Sequence, residues 1–289
     1  MTDGVTGRPL IIRDLELSWG SRTYVMGIVN LTPDSFSGDG LAASGIPGVV
    51  KRCGRMVAEG ADLLDLGAES TRPGHVPVGA AQEMDRLLPV VQAVRAALTG
   101  TPLSVDTRKA EVAAAALDAG ADVLNDVAGV TGDGAMAALA GERGVPYVLM
   151  HDRQLATTPD MMDLVVEDLA VAVDRAVRLG CARDAIIVDP GIGFGKDAAG
   201  NLILLRDLAR LHQLGRPVLL GASRKSTIGR VLDLPPHDRL EGTLATTVLG
   251  VAAGVDVVRV HDVRANVRAA RMADAVVRGH TDLSIEGAP

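Results

Sequence analysis

Eight short apolar runs punctuate the chain, at 25–31, 63–67, 103–105, 123–124, 147–150, 186–188, 218–221 and 257–260. They are aliphatic or β-branched and barely alternate with polar residues, which is the pattern of parallel strands buried on both faces. Amphipathic segments separate them. The clearest, 159–179, sets Val165, Leu169, Val173, Ala176 and Leu179 at helical spacing, with Glu167, Asp168, Asp174 and Arg175 on other faces. Thr158 and Pro159 ahead of it suit an N-cap and a first helical position. Gly60, Gly120, Gly144, Gly180, Gly215 and Gly254 each stand between a helical segment and the next run, where a left-handed helix end favours glycine. Eight strands alternating with helices predict an α/β fold, the (β/α)8 TIM barrel. An open doubly wound sheet is the alternative, but no G-x-G-x-x-G follows the first run. Residues 9–23 read as two extended pieces joined by a turn, an N-terminal β-hairpin closing the bottom of the barrel.

No linker or low-complexity tract divides the 289 residues. The expectation is a single domain over 1–289, with the hairpin at about 9–23, the barrel at about 24–278 and a polar tail after about 279. Apolar residues at 47% supply a core, and aromatics at 2% leave Ala, Val, Leu and Ile to fill it. A net charge of −7 argues against a nucleic-acid partner. The longest apolar stretch, 244–258, is too short and too interrupted to span a membrane. The N-terminus carries Asp3, Arg8, Arg13 and Asp14 and shows no signal peptide. Cys53 and Cys181 make neither a disulfide framework nor a metal pattern, which points to a reducing, cytoplasmic setting.

Chemistry collects after the runs. In order come Asn30-Leu31-Thr32-Pro33-Asp34-Ser35-Phe36-Ser37, Glu69-Ser70-Thr71-Arg72-Pro73-Gly74, Asp106-Thr107-Arg108, Asn125-Asp126, Met150-His151-Asp152, Asp189-Pro190-Gly191-Ile192-Gly193-Phe194-Gly195-Lys196, Ser223-Arg224-Lys225-Ser226 and Arg259-Val260-His261-Asp262. A barrel carries its site at this end of its strands. Asp189, where an apolar run stops, is costly to bury unless something pairs with it, and this stretch reads as the floor of a ligand pocket. Arg259 and His261, two apart, share one side of a strand. Each residue also has a plainer reading. Asp189 could brace a loop, and Asp106 could pair with Arg108 or a lysine. Asn125 could satisfy loop backbone, His261 could pair with Asp262, and Phe194 could plug the barrel mouth.

Taken together and in order, these segments closely resemble the dihydropteroate synthases, over about residues 9 to 278. The resemblance implies a TIM barrel that joins 6-hydroxymethyl-7,8-dihydropterin diphosphate to p-aminobenzoate and releases diphosphate, the folate-pathway step that sulfonamides inhibit. It implies a pterin site of Asp106, Asn125, Met150, Asp189 and Lys225. A carboxylate can accept two parallel N–H bonds from the guanidine-like pterin edge. Diphosphate falls to Asn30, Arg72, Arg259 and His261, with Asn30 near a Mg2+ cofactor. For p-aminobenzoate the resemblance implies Phe36, Thr71, Arg72, Pro73, Phe194 and Ser223. The catalytic set is Asp106, Asp189, Lys225, Arg259 and His261, acting on a pterin cation left by diphosphate loss. A homodimer is also implied.

One departure is local: the family often reads Ser-Asp-Gly-Gly where this chain has Ser37-Gly38-Asp39-Gly40, which leaves a loop role for Asp39 open. Sulfonamide sensitivity is open as well. Lys196 either guards the mouth or faces solvent. Two other readings compete. A methyltetrahydrofolate:corrinoid methyltransferase has no need of Arg72, Ser223-Arg224-Lys225 and the Arg259/His261 pair together. A pterin-binding paralogue without turnover should lack one of the charged residues, and none is missing.

Overall fold

The computed structural model describes residues 9–31, 45–69 and 78–279. Strands β1 (Leu10–Ile12) and β2 (Leu15–Leu17) form an antiparallel hairpin that pairs Leu10 with Leu17. Strands and helices then alternate: β3 (Tyr24–Asn30), α1 (Gly45–Ala58), β4 (Leu63–Gly67), α2 (Ala80–Ala97), β5 (Leu103–Thr107), α3 (Ala110–Asp118), β6 (Val123–Asp126) and α4 (Ala135–Arg143). They continue as β7 (Tyr147–Met150), α5 (Met161–Arg178), β8 (Ile186–Asp189), α6 (Ala198–Arg206), β9 (Leu219–Leu220), α7 (Ser226–Leu232), α8 (Leu240–Ala252), β10 (Val257–Val260) and α9 (Val263–Arg278).

The eight strands after the hairpin are parallel and lie in the order β8-β7-β6-β5-β4-β3-β10-β9. A bridge between Val188 and Val218, with Val188 N donating to Pro217 O at 2.9 Å, joins the two ends and closes the ring. This is the TIM barrel that the eight runs predict. Among the described residues no helix is long and apolar enough to cross a membrane.

Several boundaries differ from the sequence reading, and the differences matter. The runs at 103–105, 123–124 and 186–188 extend to Thr107, Asp126 and Asp189. Ladder pairing of Asp106 with Asn125, and of Met150 with Asp189, carries the strands past the last apolar residue. Asp106, Asn125 and Asp189 are therefore fixed on strands rather than carried on loops. The run at 218–221 shortens to two residues. Helix α5 starts at Met161, with Thr158 and Pro159 in the turn before it and Asp160 at the N-cap, without a side-chain cap. The predicted left-handed helix ends hold: Gly60, Gly120, Gly144, Gly180, Gly215 and Gly254 all have positive φ.

Alternation along the strands divides the core in two. Val25, Leu64, Val105, Leu124, Val188 and Val258 face outward and meet apolar helix positions such as Leu87, Val91, Val165 and Leu169. Met26, Leu63, Val123, Val148, Ile187, Leu219 and Val257 face inward and form a separate cluster with Ile12 and Leu17 of the hairpin. The hairpin thus seals the bottom of the barrel, as expected. Burying Leu17 there, at 1% exposure, contributes about 1.5–3 kcal/mol. One step farther along the same inward face, the residues turn polar: Asp65, Asp106, Asn125, Asp189 and Arg259. An apolar plug below and charges above set the site at the strands' C-terminal ends.

Candidate active site

The inward-facing polar residues open on a narrow cleft lined by Asp106, Asn125, Met150, Asp189, Phe194, Lys225 and Arg259. Its centre is a buried ionic network. Arg259 on β10 donates Nε to Asp65 Oδ2 at 2.6 Å and Nη2 to Asp106 Oδ2 at 2.6 Å. Asn125 Nδ2 donates to the same Asp65 oxygen at 3.0 Å. The Oδ1 atoms of Asp65 and Asp106 are buried and have no hydrogen-bond partner among the described residues. Such atoms are costly to leave unmet, and those of Asp106 belong to the cleft wall.

Asp65 is a member of this network that sequence reasoning missed. It sits inside the apolar run at 63–67, not after it, and its side chain is fully buried. The available signal was a carboxylate two residues after Leu63, on the face that Gly67 also shares. Asp106 pairs with Arg259, not with Arg108 or a lysine. Burial pushes the Asp106 carboxyl up to about 7, with Arg259 pulling against it and Asp65 adding to it.

Asp189 ends β8 at 5% exposure. Its Oδ1 accepts from Gly191 N at 2.7 Å and its main-chain oxygen from His151 N at 2.9 Å. Burial raises its pKa, while the Gly191 N–H and the Lys225 and Arg259 charges oppose that. Asn125 shares the cleft with Asp189, but its recorded side-chain bond runs to Asp65. Lys225 stands at the N-cap of α7, with Nζ 4.1 Å from the Phe194 ring centroid, a cation–π distance. Burial, then the Arg259 charge, lowers Lys225 to about 8. Met150 closes one wall at the end of β7, level with Asp189. Phe194 therefore covers a charged cleft instead of plugging an apolar mouth.

His261 lies just past β10 and binds Ser223, not Asp262: Nδ1 is 3.0 Å from Ser223 Oγ. Ser223 Oγ also accepts the His261 backbone N–H at 3.2 Å. The hydroxyl is then free to donate to Nδ1, which puts the ring proton on Nε2. Burial, then Arg224 and Arg259, pushes His261 well below its ordinary pKa, so the ring is neutral at pH 7. Asp262 instead takes a bidentate pair from Arg224, at 2.6 and 3.0 Å. Arg224 holds φ at 56°, a left-handed backbone that suits few side chains.

Asn30 closes β3, half-buried, opposite Gly67. Phe36, Asp39, Thr71, Arg72 and Pro73 lie outside the described residues. The edges of the second of those segments are firmly held. Val78 N donates to Glu69 Oε1 at 2.9 Å, and Lys109 Nζ lies 2.6 Å from both Glu69 Oε2 and Glu83 Oε2. Two carboxylates (Asp106, Asp189) thus face two cations (Lys225, Arg259) in one cleft, with the fully buried Asp65 bonded to Arg259 outside its lining. That arrangement can accept N–H donors from a flat heterocycle and favour positive charge on it.

Comparison with known proteins identifies the family. Residues 26–261 match the family described as pterin binding enzyme. A dihydropteroate synthase from Clostridium beijerinckii is 46% identical over 264 residues, covering 91% of this chain and 97% of that protein. One from Bacillus subtilis is 46% identical, covering 90% and 91%. Among solved structures, a Clostridium difficile dihydropteroate synthase in the presence of pteroic acid superimposes with a TM-score of 0.85 at 46% identity, covering 90% of this chain and 99% of that one. A Xanthomonas albilineans dihydropteroate synthase with 4-aminobenzoic acid gives 0.83 at 41% identity, covering 91% and 94%.

Proposed function

The chain belongs to the pterin-binding enzymes and, among them, to the dihydropteroate synthases, and from that premise we propose how its own residues carry the reaction. The enzyme condenses 6-hydroxymethyl-7,8-dihydropterin diphosphate with p-aminobenzoate to give 7,8-dihydropteroate and diphosphate. It is a transferase of a non-methyl alkyl group, and neither a corrinoid methyltransferase nor a bare pterin-binding module.

Asp189 accepts the ring N–H and exocyclic NH2 of the pterin side by side, one at each carboxylate oxygen, with Oδ1 also accepting from Gly191 N. Asn125, whose amide is already oriented by Asp65, and Lys225 meet the rest of the heterocycle edge, with Met150 as an apolar wall. The methylene C–O bond breaks and its electron pair leaves with diphosphate. Asp106 and Asp189 favour the resulting cationic pterin over the neutral one, because their charge is fixed in a poorly hydrated cleft. The amine of p-aminobenzoate then forms the C–N bond and gives up a proton. Arg259 uses only Nε and Nη2 on the two acids, which leaves Nη1 to reach a diphosphate oxygen. His261, neutral, donates from Nε2 to the same group. Phe194 and Ser223, with Phe36, Thr71, Arg72 and Pro73, form the p-aminobenzoate side.

Asn30 fits Mg2+: one neutral amide oxygen suits an ion held mostly by phosphate oxygens and water. When bound, it would neutralise charge on the departing diphosphate. The exposed apolar side chains of α8 and α9, Leu249 at 59%, Met272 at 67% and Val276 at 71%, support a homodimer. A Yersinia pestis dihydropteroate synthase has been solved in a sulfonamide complex, and the same drug class is expected to compete with p-aminobenzoate here. Among the described residues no helix is long and apolar enough to cross a membrane, the net charge of −7 speaks against a nucleic-acid partner, and two free buried cysteines support a cytoplasmic setting.

The observation that carries the residue assignment is the convergence of Asp106, Asp189, Lys225 and Arg259, from four different strands or strand ends, on one cleft. Steady-state turnover with both substrates and Mg2+ tests it. Diphosphate release should require p-aminobenzoate and fall at least a hundredfold in Asp106→Asn. Full turnover by that variant would remove the electrostatic account.

A further inference from the structure

Lys196 takes no part in the mechanism above, yet its amine is the most heavily engaged cation beside the cleft. Nζ lies 2.8 Å from His151 O, 3.1 Å from Pro190 O, 3.3 Å from Gly191 O and 2.8 Å from His151 Nδ1. These acceptors belong to the two segments that hold Asp189 in place. His151 N donates to the Asp189 carbonyl at 2.9 Å. The peptide between Pro190 and Gly191 is gripped at both ends: its C=O by Lys196, its N–H by Asp189 Oδ1 at 2.7 Å. A cation at the oxygen end and a carboxylate at the N–H end align with the peptide dipole, and each strengthens the other. The approach is too close for any side chain at 191. A Cβ there would lie 1.9 Å from His151 O.

The far end of the cluster is also fixed. His151 Nε2 is 2.9 Å from Asp168 Oδ2, which Arg153 Nε also contacts at 2.7 Å. The Asp168 carboxylate keeps the ring proton on Nε2 and leaves Nδ1 as an acceptor for Lys196. Burial, then the Lys196 charge, lowers His151 to about 4, so the ring stays neutral. Burial lowers Lys196 to about 7, against the pull of Asp189, Asp152 and Asp168. The amine keeps N–H donors for the carbonyls in either protonation state, three when charged and two when neutral, and the grip is strongest when it is charged.

We propose that Lys196 is a positioning residue for pterin recognition: it orients the Pro190–Gly191 peptide, and through that peptide it aims the Asp189 carboxylate into the cleft. The proposal rests on Asp189 being the pterin acceptor. Lys196 touches no substrate in this scheme, so its loss should be felt on one substrate only.

The test compares Lys196→Met and Asp189→Asn with the wild-type enzyme. Affinity for a pterin lacking the diphosphate, 6-hydroxymethylpterin, is measured by calorimetry, and KM for each substrate by turnover. Lys196→Met should weaken the pterin about tenfold, the loss of one hydrogen bond to a charged group, raise KM for the pterin diphosphate to match and leave KM for p-aminobenzoate unchanged. Lys196→Gln, which keeps an amide donor, should recover part of the loss. If Lys196→Met does not fold, Lys196→Gln and Asp168→Asn, whose side chain is 22% exposed and outside the cleft lining, should show the same pterin-only effect at smaller size. Wild-type pterin affinity in a folded Lys196 variant, or equal losses for both substrates, would overturn the proposal. If Asp189→Asn binds pterin normally, the reading of Asp189 fails instead.

Discussion

Arg259 Nε lies 2.6 Å from Asp65 Oδ2, across a strand that separates β4 from β10 in the barrel. The bond joins the last strand to a carboxylate that no loop motif contains. It also sets Asn125, which shares the same oxygen. Removing Asp65 leaves a buried guanidinium short of one acid and the Asn125 amide unheld. Breaking such a pair costs about 3–5 kcal/mol. Asp65→Ala should show that loss in urea denaturation. Asp65→Asn, which keeps the shape and an acceptor oxygen, should lose less stability but still raise KM for the pterin substrate. Wild-type stability in Asp65→Ala would mean that Asp106 alone suffices for Arg259.

Asp106 links pterin binding to pH. Its folded-state pKa is raised, to about 7, chiefly by burial. Below that value the free site holds the proton, whereas N–H donors of the pterin favour the ionised carboxylate. Binding must then expel a proton, so affinity should fall as pH drops below about 7, by up to about tenfold per unit. Calorimetry in buffers of different ionisation enthalpy should detect proton release on binding near pH 6. In Asp106→Asn that release should vanish, along with the slope.

Gly191 has no tolerated substitute. Its φ is 69° and a Cβ would meet His151 O, a backbone atom that cannot swing aside, at 1.9 Å. Gly191→Ala should therefore lower stability by more than about 1 kcal/mol and weaken pterin binding, since the N–H on Asp189 Oδ1 would shift with it. Thermal unfolding and pterin titration read the two effects separately. Gly215, also left-handed but with open space around the added carbon, should lose only stability on the same change.

Lys109 bridges Glu69 and the fully buried Glu83 at 2.6 Å each. Lys109→Met strands a carboxylate in the interior, and the expected loss is about 3–5 kcal/mol in denaturant. The double variant Lys109→Met/Glu83→Gln removes the stranded charge and should recover part of it. A double variant no better than the single one would place the cost in Glu69 instead.

How legible the site was depends on where each residue sits in its strand. Asp189, Asp106 and Asn125 end apolar runs, and a polar group at the end of a buried strand is visible in one dimension. Asp65 was invisible to that search because apolar neighbours enclose it, as Leu64 and Leu66 do. The partners of Arg259, His261 and Lys196 lie far away in sequence: Asp65 is 194 residues from Arg259, and Ser223 and His151 are 38 and 45 residues from theirs. Spacing along a chain carries no record of such pairs.

The sequence by itself determined the local rules. Unalternating apolar runs demanded strands covered on both faces, glycines marked the left-handed helix ends, and the count of eight supplied a barrel. Those are short-range effects of side-chain burial and backbone sterics. Tertiary closure decided the rest. Only when β8 and β9 met did period-two alternation bring Asp106, Asp189 and Arg259 to one cleft, where Lys225 joins them from the loop after β9 and Asp65 holds Arg259 from outside the lining. There, desolvation set which acids hold protons and which partner each cation takes, because electrostatic energies depend on distance and burial, and both exist only in the folded chain.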